Sequence, residues 1–133
     1  MPAQDLNAPA ARATPQVIVW WILWATMLAG VILIFFFLAR SPVGEGLATT
    51  DSPVWLIGLA PLVVSTVIRW LIFPTITNPQ TALVLFVIGI SLSEAACILG
   101  VFVWPAYQQE LFALSVLGIL QYMPVFARKF SRA

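Results

Sequence analysis

The chain has 133 residues, of which 62% are hydrophobic and 8% charged, with a formal net charge of +1. At a mean hydropathy of +1.02, a soluble domain of this size would lack the polar surface to cover its apolar side chains, so the composition specifies an integral membrane protein. The near-neutral charge balance excludes a nucleic-acid footprint and an acidic tail. No histidine is present and Cys97 is the single cysteine, which excludes bis-histidine haem, histidine-based zinc or copper sites, Ser-His or Cys-His catalysis and an internal disulfide. No catalytic residue, metal site or cofactor is expected, and the chain reads as a non-enzyme.

Residues 1 to 16 contain Pro2, Asp5, Pro9, Arg12 and Pro15 and read as a polar tail. An apolar segment over about 17 to 39 predicts the first transmembrane helix; it is too long for the apolar region of a signal peptide. The following segment holds Arg40, Pro42, Gly44, Glu45, Gly46, Asp51 and Pro53 and predicts water-exposed turns. A second helix is expected over about 54 to 73, bent at Pro61. The segment 74 to 80, PTITNPQ, predicts a tight connection into a third helix over about 82 to 104. Trp104 and Pro105 end that helix. A fourth follows over about 109 to 126, and Arg128, Lys129 and Arg132 form a basic tail over 127 to 133.

Orientation follows from the basic residues. With the N terminus in the cytoplasm, four spans place Arg12, Arg69, Arg128, Lys129 and Arg132 inside and Arg40 outside, as the positive-inside bias requires. Both termini are then cytoplasmic. Trp20, Trp21, Trp55, Trp70, Trp104 and Tyr107 fall near helix ends, the positions of an aromatic belt.

Glu94 is the one charged residue between Ala82 and Trp104. Twelve residues at a rise of ~1.5 Å place it about 18 Å from the inner end of its helix, near the bilayer midplane. An ionised carboxylate there is costly, which predicts the neutral acid at rest and a role in either ion binding or helix contact. Thr26, Ser65, Thr66 and Ser91 come to similar depth and are its candidate partners in an ion-binding site. Arg69 lies about 6 Å from its own inner end, too far for a direct ion pair with Glu94. It is expected to snorkel or to meet Gln121 and Tyr122 in an inner-interface polar cluster.

Gly89, Ser93, Ala96, Cys97 and Gly100 recur at spacings of three and four, which puts them on one face where another backbone can approach closely. That face serves either intramolecular packing or self-association. Glu94 is turned about 100° from Ser93 and flanks the face.

The segment GISLSEAACILGVFV, residues 89 to 103, resembles the carboxylate-bearing helix of the proton- or sodium-carrying c subunits of rotary ATPases. That helix shows a membrane glutamate followed by alanine and, six residues on, glycine; Glu94, Ala95 and Gly100 stand in those places. The same segment, together with LFALSVLGILQYMP after it, resembles small uncharacterised bacterial four-helix membrane proteins. The rotor pattern of alternate glycines is missing: the other helices carry only Gly30, Gly58 and Gly118. The resemblance therefore implies Glu94 as an ion-binding carboxylate, and a multi-pass location in a bacterial inner membrane.

The sequence thus predicts an all-α, four-helix transmembrane bundle embedded in lipid. Its expected function is an accessory or assembly subunit, in a homo-oligomer or larger membrane complex, with Glu94 as a midplane polar contact. The alternative is an ion-linked protein, c-subunit-like or a small transporter, in which Glu94 binds a proton.

Overall fold

A computed structural model describes residues 8 to 39 and 53 to 126. All regular structure among them is helical: α1 (Ala8–Leu38), α2 (Ala60–Val67), α3 (Pro79–Phe102) and α4 (Gln108–Leu120), with short helical segments of other pitch between them. Three stretches are long and apolar enough to cross a membrane: Gln16–Leu38, Leu56–Thr75 and Pro79–Phe102. Arg40, Glu45, Asp51, Arg128, Lys129 and Arg132 lie outside the described residues, as do the side chains of Arg12 and Trp55.

Helix α1 begins inside the segment expected to be a tail. The run Ala-Pro-Ala-Ala-Arg-Ala is rich in the strongest helix former, and Pro9 falls in the first turn, where a missing N–H costs nothing. The second span is not one continuous α-helix. Pro53–Leu59 winds as a 3-10 helix, α2 follows with Pro61 in its first turn, Ile68–Ile72 forms a π-helical turn, and Phe73–Thr75 is again 3-10. Pro61 therefore opens the α-helical part instead of bending its middle, because a proline is tolerated where the first N–H groups have no intrahelical acceptor.

Helix α3 starts three residues earlier than the apolar run suggests. Asn78 is extended and its side chain accepts a hydrogen bond from the Gln80 backbone N–H at 2.9 Å, with Pro79 at the first helical position. At 24 residues it is about 36 Å long.

Helix α4 is shorter than expected. Its 13 residues span about 20 Å, less than a hydrocarbon core of ~30 Å. The 3-10 turns Pro105–Tyr107 and Pro124–Phe126 extend it at either end.

Helix α3 is the centre of the assembly and packs against each of the other three. Within the candidate spans, 39% of the α3 window is buried against 6% of the α1 window, so α1 is peripheral. Register is fixed by aromatic contacts. Trp20 meets Phe86 at 4.8 Å and Phe73 at 6.4 Å between ring centroids, and Phe86 meets Tyr122 at 6.1 Å, all at one end. Toward the other end Phe35 stacks on Phe112 at 4.0 Å. Between them the Trp24 indole N–H donates to the Ile119 carbonyl at 3.0 Å. Chain direction along these contacts makes α1 parallel to α3 and antiparallel to α4.

Candidate functional site

Three places among the described residues carry the polar side chains singled out in the sequence. The first is a buried seam joining α2, α3 and α4. The Ser65 hydroxyl donates to the Gly89 carbonyl at 2.7 Å and lies 2.8 Å from the Ser93 hydroxyl. The Tyr122 hydroxyl donates to the Ser65 carbonyl at 2.6 Å, and the Ser115 hydroxyl donates to the Ser93 carbonyl at 2.6 Å. All four side chains are buried. Each hydroxyl ties one helix to another, an arrangement that fixes register where lipid offers no competing partner.

Glycine makes this seam possible. A Cβ at Gly89 would collide with the Tyr122 hydroxyl and ring, and one at Gly118 would stand 2.6 Å from Ser93 Oγ. At Gly100 it would stand 2.9 Å from the Leu111 Cβ. Gly89, Ser93, Ala96, Cys97 and Gly100 are all buried, and α4 and α2 already cover the face they form. This face packs within the chain.

The second place is the C-terminal end of the second span. The Arg69 Nε donates to the Gln121 carbonyl at 2.7 Å, and the Trp70 indole N–H donates to the Gln121 side-chain oxygen at 3.2 Å. The guanidinium carbon lies 5.3 Å from the Trp70 ring centroid and 5.5 Å from that of Phe73, within cation–π range. The π-helical turn Ile68–Ile72 contains both Arg69 and Trp70, and its extra residue per turn aims the two consecutive side chains at one partner. Arg69 and Gln121 meet here, and Tyr122, whose hydroxyl bonds into the seam, lies close enough to interact electrostatically with Arg69.

Glu94 is the third place. It is half-buried on the flank of α3 that faces α1, and its Oε1 lies 3.5 Å from where a Gly30 Cβ would be. A Cβ at position 30 would touch the carboxyl at ordinary van der Waals distance. None of the hydroxyls expected around it bonds the carboxyl. Ser65 is spent on Gly89 and Ser93, Thr66 donates to the Leu62 carbonyl at 2.9 Å, and Thr26 and Ser91 are exposed. The reason is geometric: similar depth does not imply the same side of a helix, and the Ser65 face of α2 meets α3 about 100° from Glu94. Among the described residues no hydrogen bond reaches the Glu94 carboxyl.

Sequence reasoning missed two contributors, Ser115 and Gly30. A serine in an apolar helix carries no mark of which neighbour it will reach, and a lone glycine signals close approach only once its opposite residue is known. No protein-family model, curated protein or solved structure matches this chain.

Proposed function

We propose that the chain is a multi-pass membrane protein that works as an assembly subunit, using Glu94 as a polar contact at the midplane of the bilayer. One observation carries the reading: a half-buried carboxyl near the middle of α3 has no hydrogen-bond partner among the described residues. In hydrocarbon such a group gains from a partner supplied by another helix. Ser65 and Thr66, two of the hydroxyls that could have caged an ion, are bonded to other partners, which favours contact over coordination.

A crossing by α4 is part of this reading. The segment 108 to 126 runs from Gly100 to the level of Phe86, and its last turn, Pro124–Phe126, packs on α1. Four crossings then bring both termini to the cytoplasmic side. A reporter fused at residue 133 should read cytoplasmic and a tag between 44 and 50 external; reversed labelling overturns the orientation.

The ion-linked reading is favoured by the same carboxyl, because a half-exposed acid facing lipid is open to proton exchange. Glu94→Gln and Glu94→Leu separate the two. For an assembly contact, the glutamine variant keeps the native complex mass in mild detergent, while the leucine variant weakens it by removing the polar bond. For a proton carrier, the wild-type protein is labelled by dicyclohexylcarbodiimide and Glu94→Gln loses both labelling and proton-coupled activity. A native complex unaffected by Glu94→Leu overturns the assembly reading.

A further inference from the structure

The lipid-facing surface of α1 and α3 is bulky except at one level. On α1, Ile22 is exposed on one side of that level and Leu33 and Phe37 on the other; on α3, Val84 and Ile88 precede it, and Ile98 and Phe102 follow it. Between them stand exposed Thr26 and half-buried Gly30 on α1, and exposed Ser91 and half-buried Glu94 on α3. Spacings of four and three put each pair on one flank of its helix. The Gly30–Glu94 approach sets those flanks edge to edge. The result is a shallow notch near the bilayer midplane, lined by two hydroxyls and a carboxyl.

We infer that a second copy of this chain docks in the α1–α3 notch, with Thr26 and Ser91 of each copy donating hydrogen bonds to Glu94 of the other; this rests on the reading of Glu94 as an assembly contact. Copies inserted with the same orientation carry each residue to the same depth, so a twofold axis along the membrane normal brings notch to notch. The notch holds both donors, the hydroxyls, and an acceptor, the carboxyl. It is therefore self-complementary, whereas a different partner would have to present its own donor at that depth. Small residues and interhelical hydrogen bonds are what drive helix association in lipid, where burial of apolar surface gives no advantage. The other small-residue face, from Gly89 to Gly100, is already filled by α2 and α4 and is closed to a second copy.

The test is cross-linking in native membranes of the full chain with Cys97→Ala, so that an introduced thiol is the only one present. Ser91→Cys should form a disulfide-linked species of twice the monomer mass on mild oxidation. Val63→Cys, exposed on the outer face of α2, should not. Glu94→Leu should lower the dimer association constant about tenfold. Equal cross-linking at 63 and 91 would mean random collision and overturns the proposal. If a benzophenone side chain at position 91 couples only to a different membrane protein, the second copy is excluded while the assembly role of Glu94 stands. No cross-link of either kind overturns both.

Discussion

Gly89→Ala should destabilise the protein by about 3 kcal/mol, a large effect for one added methyl. The new Cβ would overlap the Tyr122 hydroxyl and ring. Tyr122 has nowhere to retreat, being fully buried, packed against Phe86 and bonded through its hydroxyl to the Ser65 carbonyl at 2.6 Å. Relief therefore requires α3 and α4 to separate or the tyrosine to leave the core, and either route also breaks the Tyr122 hydrogen bond to the Ser65 carbonyl, which keeps the Ile68 backbone N–H. In a Tyr122→Ala background the cavity accepts the methyl, and the cost of Gly89→Ala should fall below about 1 kcal/mol. Unfolding by sodium dodecyl sulfate in mixed micelles, followed by circular dichroism, reads both costs. Equal losses in the two backgrounds would disprove the contact.

How much of this was legible beforehand differs by level. The apolar spans were, because crossing a bilayer takes about twenty predominantly apolar residues and the chain supplies them: expected segments at 17 to 39, 54 to 73 and 82 to 104 correspond to candidate spans Gln16–Leu38, Leu56–Thr75 and Pro79–Phe102. Their winding was not. Nothing in APLVVSTVIRWLI distinguishes an α-turn from the π-turn at Ile68–Ile72, and the partner that Arg69 and Trp70 meet there, Gln121, lies some fifty residues away in the sequence. The length of α4 was hidden for a related reason: Met123, Val125 and Phe126 carry the apolar run onward, yet the helix stops at Leu120. For the polar groups, sequence spacing gives depth along a helix and the relative azimuth of residues on the same helix. It does not give the azimuth between helices. Ser65 and Glu94 lie at similar depth, but the packing of α2 on α3 delivers Ser65 to Ser93 and leaves Glu94 facing Gly30.

The same logic gives Gly118→Leu a loss of about 2 to 3 kcal/mol. A Cβ at position 118 would stand 2.6 Å from Ser93 Oγ, 3.0 Å from Ser93 Cβ and 2.9 Å from a Leu62 methyl, so it strikes α3 and α2 together. Displacing Ser93 does more than crowd it. The Ser93 hydroxyl lies 2.8 Å from that of Ser65, and its carbonyl accepts from Ser115 at 2.6 Å, so a shift there strains two of the seam's cross-links. Hydrogen bonds between membrane helices average about 0.6 kcal/mol, so the steric term outweighs the polar one. Removing the obstacle should therefore restore more than any polar substitution can. Leu62→Ala combined with Gly118→Leu should recover at least about 1 kcal/mol relative to the sum of the single changes. Ser93→Ala should recover less, because it clears the hydroxyl but keeps the Cβ. If Ser93→Ala rescues as well as Leu62→Ala, the hydroxyl and not the backbone spacing sets how closely α4 approaches its neighbours.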